Sequence, residues 1–234
     1  MVICIETATN LCSVALCSSA GIVSLKESTD LKSHASKLTV FIDEVLKEKG
    51  IRAQELEAVA VGKGPGSYTG LRIGVSVAKG IAFAASIPLI GIGTTLSMFW
   101  GMLQRIEEIN SDRENTLLCP MIDARRMEVY NAIYDSQGKT EKEVSADIIT
   151  EDSFAEIPEY KKIIFFGNGA VKCKQVIKRK NVYFADDFRI SASHMQKPVY
   201  QAIASQEFEN VAYFEPFYLK DFITTIPRKN ILGN

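Results

Sequence analysis

Residues 64–74 read GPGSYTGLRIG. The apolar run at residues 57–62 predicts a short buried strand before this stretch, and the pattern from Leu71 onward predicts a helix after it. Glycine has no Cβ and accepts positive φ angles, so a glycine-rich turn between strand and helix lets another group approach the backbone closely. Two interpretations stay open. Either the helix N-terminus contacts an anion or a nucleotide, or the helix packs tightly against its own strand.

The candidate anion-binding residues of this stretch are Gly64, Pro65, Gly66, Ser67, Gly70 and Arg72. A phosphate-binding P-loop ends in Gly-Lys-Ser/Thr, but here Leu71 and Arg72 follow Gly70. The stretch is therefore not predicted to be a P-loop.

Small residues recur at about every fourth position of the helix that follows, and such a face lets a second helix approach closely. An upstream segment that ends at Gly50 has apolar residues at helical spacing and predicts an amphipathic helix. A contact of these two helices with a partner subunit and packing inside their own domain both stay open, because small residues alone do not separate them. The predicted interface residues are His34, Leu38, Phe41, Ile42, Val45, Gly70, Gly74, Ala78 and Ala82.

Composition indicates an ordinary globular protein. The chain has 234 residues, of which 47% are hydrophobic, and its formal net charge is −1. It therefore lacks the overall basic charge of proteins that grip nucleic acid along its phosphates, and any RNA contact is expected to be local. The best candidate is the basic cluster Lys172, Lys174, Lys178, Arg179 and Lys180, for which a solvated helix end is the alternative.

The five cysteines contain no CxxC pair and lie mostly in apolar runs, as is typical of reduced core residues. The chain starts directly as a strand, without the features of a signal peptide, and no run reaches transmembrane length. We therefore expect a cytoplasmic protein without a membrane contact.

The order of predicted elements repeats along the chain. Before residue 110, three short strands are followed by a helix, a strand, a helix, a strand at residues 88–92 and a helix at about residues 94–109. A similar series begins near residue 117 and includes a strand at residues 162–166. The series predicts an α/β protein with a first lobe at 1–110, a second lobe at 111–190, and a C-terminal helix and tail at 191–234 that packs back on the first lobe. In the second lobe and beyond, helices are expected near residues 152–155, 169–178 and 197–209. Glu6 and Asp123 occupy similar places, where a strand enters a hairpin turn.

Doubled βββαβα lobes are the plan of the actin, sugar kinase and heat-shock chaperone ATPase (ASKHA) superfamily. Closer motifs are ICIETATNLCSVAL, SHASKLTVFIDEVL, VAVGKGPGSYTGLRIGVSVAKGIA, PLIGIGT, MIDARRMEVYNAIYD, FFGNGA and YFEPFYL. With these, nearly the whole chain resembles the bacterial TsaB (YeaZ) family.

The resemblance implies a non-catalytic scaffold or activating subunit of the complex that places threonylcarbamoyl on the adenosine beside the tRNA anticodon. The implied partners are the catalytic subunit TsaD, the small ATPase TsaE and, through the complex, tRNA; a homodimer is expected in isolation. No cofactor is expected on this chain alone, and any ATP or ADP is expected at the junction of the complex.

In the catalytic paralogue, a helix carries two metal-binding histidines four residues apart. The corresponding positions here are Thr94 and Met98, which are poor ligands for such a metal, so neither a metal site nor a catalytic residue is expected. The alternative function is an independent small-molecule kinase or nucleotide-binding protein of the ASKHA superfamily, with Asp123 as the candidate base.

Overall fold

The structure is a computed structural model that describes residues 1–30, 33–109 and 113–220, with side chains for residues 1–30, 36–106 and 113–220. Its first sheet contains β1 (Val2–Glu6), β2 (Cys12–Ser18), β3 (Gly21–Ser28), β4 (Ala58–Gly64) and β5 (Leu89–Gly93). Its second sheet contains β6 (Thr116–Asp123), β7 (Glu128–Asp135), β8 (Thr140–Ile148), β9 (Lys162–Phe166) and β10 (Val182–Ala185).

Both sheets have the same topology. The first has the order β3-β2-β1-β4-β5, and the second, read from its other edge, has the order β8-β7-β6-β9-β10. In each sheet the first three strands of the series are antiparallel and the last two run parallel to the first. The predicted duplicated α/β fold is confirmed.

Helices cover the first sheet on both faces. On one face, α1 (Ser33–Lys49) and α2 (Tyr68–Ala85) share a core with the odd-numbered β1 residues Ile3 and Ile5. On the other face, Val2 and Cys4 pack against the 3₁₀ turn Ala192–Met195 and α5 (Gln196–Ser205). This division follows from the strand period of two residues.

Helix α3 (Thr94–Ile109) connects the two lobes. Its residues Met98, Phe99 and Met102 pack with Leu118 of β6 in one core cluster that also includes Leu11 of the first lobe. The opposite face of the second sheet is covered mainly by turns and by the short α4 (Ala170–Cys173).

The predicted helix near residues 152–155 is wrong, and the one predicted over residues 169–178 is reduced to α4. Residues 150–157 form successive turns, and Phe154 has a φ of 70°, which does not fit a right-handed helix. The Arg179 guanidinium donates to the carbonyl oxygens of Phe154, Ile157, Pro158 and Lys161, and so satisfies backbone groups that a helix would have paired internally.

Residues 206–220 form an irregular segment along the first lobe, which we call the C-terminal strap. Its Glu209 N–H donates to the carbonyl of Leu89, and its Phe217 N–H donates to the carbonyl of Lys63. Phe214 enters the core beneath α2. The strap therefore belongs to the first lobe structurally, although it is last in the sequence.

All five cysteines are buried and free. Within the described part of the chain, no helix is long and apolar enough to cross a membrane.

Candidate functional site

A cleft of about 210 Å³ lies between the two lobes. Thr9, Asn10 and Leu11 from the first-lobe hairpin form one wall, and Gly167 and Asn168 from the second lobe form another. Met98, Phe188, Arg189 and Ile190 complete most of the remaining lining. The lining of the cleft thus combines apolar and polar side chains.

Met98 is a buried residue in the lining of this cleft. A Cβ added to Gly167 would lie 2.4 Å from Met98 Cε, so the thioether packs directly against the glycine turn of the second lobe. Thr94, one helical turn earlier, is fully buried, and its hydroxyl has no hydrogen-bond partner among the described residues. Thr94 and Met98, the positions that the resemblance matches to the two metal-binding histidines, are therefore both packed side chains.

Glu6 lies at the end of β1 and is fully buried. Its Oε1 accepts a hydrogen bond of 2.7 Å from the Ala8 N–H, whereas Oε2 has no partner within the described chain and lies against Gly62. Burial raises the pKa of this carboxyl from 4.5 to about 7. The carboxylate folds back on its own turn and does not line the cleft.

His194 is also a packing residue. Its ring stacks on Phe188, with 5.3 Å between ring centroids, and a Cβ on Gly101 would lie 2.5 Å from it. Burial lowers the pKa of His194 to about 4, so the imidazole is neutral at physiological pH. Among the described residues, no cluster of three His, Cys, Asp or Glu side chains is arranged to hold a metal ion.

The glycine-rich stretch is packed against the first-lobe hairpin. Cβ atoms added to Gly66 and Gly70 would lie 2.5 Å from the Ala8 carbonyl oxygen and 2.1 Å from the Thr7 carbonyl oxygen. The Ser67 N–H donates to the same Ala8 oxygen. The space that glycine opens is therefore filled by the chain's own backbone, as in the packing interpretation, and no room remains there for a phosphate.

The other residues of the candidate anion loop have local partners. Gly64, joined to Pro65 by a cis peptide bond, lies against the backbone of Phe217, and Ser67 accepts a hydrogen bond from the Gly70 N–H as the N-cap of α2. The Arg72 guanidinium lies 4.2 Å from the centre of the Tyr68 ring, and its Nε donates to Tyr218. These contacts tie the stretch to the C-terminal strap.

Most of the predicted interface residues lie inside the first lobe. The buried set comprises Leu38, Ile42, Val45, Gly70, Gly74, Ala78 and Ala82, and Phe41 packs partly buried against the same core. The His34 side chain lies outside the described residues. A partner cannot contact the buried set without opening the lobe, so the predicted surface is corrected: these residues join α1 and α2 to their own sheet.

The outward face of the same two helices has a different composition. On α2, the exposed residues Ser76, Gly80 and Ala84 are four positions apart, and a Cβ at Gly80 would meet no atom within 4 Å. Phe83 on α2 is 81% exposed, and Val40 on α1 is 49% exposed. We call this the outer helix face. Sequence reasoning missed it, although the same four-residue spacing was present.

A charged turn connects β6 and β7. Lys172 Nζ donates to Asp123 Oδ1 and to the carbonyl oxygens of Arg126 and Glu128. Asn168, which lines the cleft, accepts a hydrogen bond from the Asp123 N–H. The turn is therefore fastened to the second-lobe side of the cleft.

Comparison with known proteins identifies the family. The family model described as TsaD: tRNA N6-adenosine threonylcarbamoyltransferase matches residues 27–228. The chain belongs to this family.

Its relatives place it in the TsaB (YeaZ) branch of that family. It is 29% identical to the tRNA threonylcarbamoyladenosine biosynthesis protein TsaB of Escherichia coli, over 94% of each chain. It is 28% identical to the Bacillus subtilis protein of the same name, over 86% of this chain and 89% of the relative. A solved structure of YeaZ from Pseudomonas aeruginosa superposes with a TM-score of 0.76 at 24% identity, covering 93% of this chain and 99% of the other.

Proposed function

We propose that this chain is a non-catalytic subunit of the bacterial complex that makes threonylcarbamoyladenosine in tRNA, and that it binds the catalytic subunit TsaD. The observation that carries the proposal is the near full-length match to relatives named for this biosynthesis. Because the family model is that of the transferase itself, the chain and TsaD are homologous. Homologous subunits commonly associate through equivalent surfaces.

The non-catalytic part of the proposal is supported by α3. If the histidines of a metal-binding transferase correspond to Thr94 and Met98, this chain has a hydroxyl and a thioether in their place. Both side chains are buried, and Met98 packs against Gly167. A thioether is a soft donor and a threonine hydroxyl is rarely a ligand, so neither matches a site for iron or zinc.

We propose the outer helix face as the surface that binds TsaD. Ser76, Gly80 and Ala84 leave room for a second helix to approach, and Phe83 supplies a large apolar side chain that is 81% exposed. Aromatic side chains are enriched at protein interfaces, where they bury much area at low entropic cost. In the absence of TsaD, we expect two copies of this chain to form a homodimer through the same face.

The chain alone is proposed to hold no nucleotide. At Gly66, Gly70 and Gly74, Thr7 and Ala8 occupy the space that a phosphate would need. ATP or ADP in the assembly would then lie at the junction of the subunits, with TsaE as the ATPase and tRNA as the substrate. A titration of the isolated chain with ATP that gave tight binding would instead favour an independent kinase.

The decisive experiment mixes the purified chain with TsaD of the same organism and measures the molar mass by size-exclusion chromatography with light scattering. The expected result is a one-to-one heterodimer. Gly80→Leu should abolish it because the added side chain occupies the contact, while Ala204→Leu, an exposed small-to-large change on α5, should leave it intact. Separate peaks for the two unmodified proteins would refute the proposal.

A further inference from the structure

The turn between β6 and β7 presents two consecutive arginines in an uncommon backbone conformation. Arg125 has a φ of 71° and Arg126 a φ of 49°, and both residues are exposed. Side chains with a Cβ rarely adopt this left-handed region, because the Cβ crowds the following carbonyl oxygen. Glycine would fit both positions with less strain. Such strain persists where surrounding contacts enforce it, and it clusters at functional sites.

The surrounding contacts hold the backbone of this turn firmly. Lys172 Nζ donates to the carbonyl oxygens of Arg126 at 2.7 Å and Glu128 at 2.6 Å. Asp123 Oδ1 accepts from the Arg125 N–H at 2.8 Å. The turn also closes on itself, because the Glu128 N–H donates to the Arg125 carbonyl. The base of each arginine is therefore fixed while its side chain extends from an exposed position.

The acidic side chains of the turn have ion-pair partners, whereas its two arginine side chains have none within the described part of the chain. Its two carboxylates are each paired with a lysine from elsewhere in the chain, Asp123 with Lys172 and Glu128 with Lys220. Across residues 1–30, 33–109 and 113–220, neither the Arg125 nor the Arg126 guanidinium has a hydrogen bond or an ion pair. The acids of the turn are thus neutralised, and two positive charges are left over.

The basic cluster expected from the sequence to be the best RNA candidate differs in this respect. Lys174 pairs with Asp186, Lys172 fastens the turn, and Arg179 donates to four backbone carbonyls. Lys178 donates to the Gln175 carbonyl, so four of the five cations are engaged within the fold. Among the described residues, the guanidinium groups of Arg125 and Arg126 lack such partners, as does that of Arg189 in the cleft lining, in a chain whose net charge is only −1.

We propose that the Arg125–Arg126 turn binds phosphate groups of the tRNA backbone. This inference rests on the proposed function for its choice of tRNA. A guanidinium offers a planar set of N–H donors that matches phosphate oxygens in pairs, and it stays charged at any physiological pH. Because the turn is pinned through Asn168 to the edge of the interlobe cleft, RNA held there would lie across the second lobe.

The test measures binding of a fluorescently labelled, unmodified transcript of a tRNA that reads ANN codons, by anisotropy, over a range of NaCl concentrations. The variant is Arg125→Gly with Arg126→Gly, since glycine fits both φ angles and the variant should unfold at a temperature no lower than the unmodified chain. The matched control is Lys178→Ala with Lys180→Ala, which removes the same charge from exposed positions.

For the complex with TsaD, we expect the glycine variant to bind this tRNA about 25-fold more weakly at 0.1 M salt. Each lost single-strand phosphate contact makes the negative slope of log affinity against log salt less steep by about 0.7. Two lost contacts therefore amount to about 1.4 log units over the tenfold salt range below about 1 M. The control should keep the affinity and slope of the unmodified complex. Heterodimer formation should be unchanged in both.

Equal tRNA affinity and slope for the glycine variant and the unmodified complex would overturn the inference and leave the proposed function standing. Loss of TsaD binding in the glycine variant would also overturn the inference. It would indicate that the two arginines contact an acidic surface of TsaD. If the unmodified subunits do not associate, the proposed function fails, and the same titrations with the full chain alone decide whether the turn binds RNA.

Discussion

Replacement of Gly74 by alanine tests whether the small-residue stripe of α2 is core or interface. In an exposed helix this change is stabilising by about 1 kcal/mol, because glycine is the more flexible residue. Here the new Cβ would lie 2.3 Å from Thr7 Oγ1, in a side chain that is fully buried. The Thr7 hydroxyl also donates to the Gly70 carbonyl at 2.8 Å and would have to leave it.

The expected cost combines overpacking of about 1–3 kcal/mol with loss of a buried hydrogen bond of about 1 kcal/mol, offset by the helix propensity gain of about 1 kcal/mol. Gly74→Ala should therefore destabilise the protein by about 1–3 kcal/mol. Gly80→Ala is the matched control on the same helix, since no atom lies within 4 Å of its added Cβ and the site is exposed. It should stabilise the protein by about 1 kcal/mol.

Urea unfolding followed by far-ultraviolet circular dichroism measures the difference. A separation of about 2–4 kcal/mol corresponds to about 1–2 M between the midpoints if the slope is about 2 kcal/mol per M. The reasoning is refuted if Gly74→Ala unfolds at the same urea concentration as Gly80→Ala. A Gly74→Leu variant that stays folded but no longer binds TsaD would show that the small-residue stripe of α2 contacts the partner after all.

Two further perturbations address the first lobe. Glu6→Gln should remove a pH dependence: the native carboxyl, with its pKa raised from 4.5 to about 7, keeps a proton that the unfolded chain releases, so stability falls as the pH rises through this window. The variant should match the unmodified protein near pH 4.5 and exceed it by up to about 3 kcal/mol at pH 8, and parallel pH curves would contradict this. Phe214→Ala should cost about 3–5 kcal/mol because its ring lies in the core under α2, whereas Tyr213→Ala, at an 83% exposed position, should change the urea midpoint little; equal midpoints would show that the strap does not support the lobe.

The duplicated fold could be predicted because its signals are local. Strand runs such as residues 162–166 and the helix over residues 94–109 are bounded by polar or glycine turns and match the observed β9 and α3. The turns at residues 150–161 could not be predicted, because they depend on Arg179, which supplies donors from beyond the next strand. The C-terminal strap likewise depends on contacts with Lys63 and Leu89, far away in the sequence.

The candidate site was predicted less well, and α2 explains why. A four-residue spacing of small side chains occurs on two faces of this helix, at Gly70, Gly74, Ala78 and Ala82 and again at Ser76, Gly80 and Ala84. Composition favours the first set as an interface because it is the longer one. Burial reverses the choice, since Thr7 and Ala8 of the β1–β2 hairpin need the space beside Gly66, Gly70 and Gly74.

The same hairpin connects the packing of the lobe to its surface. Because Thr7 and Ala8 hold the N-terminal turn of α2 from inside, the orientation of α2 on the sheet is fixed by contacts that a partner never touches. The outer helix face is therefore already in position before any partner binds, and its small residues lose little side-chain entropy on contact. A substitution at Gly74 should then weaken partner binding only through unfolding, while one at Gly80 should weaken it in a folded protein. Measurement of both properties on both variants separates the support of the surface from the surface itself.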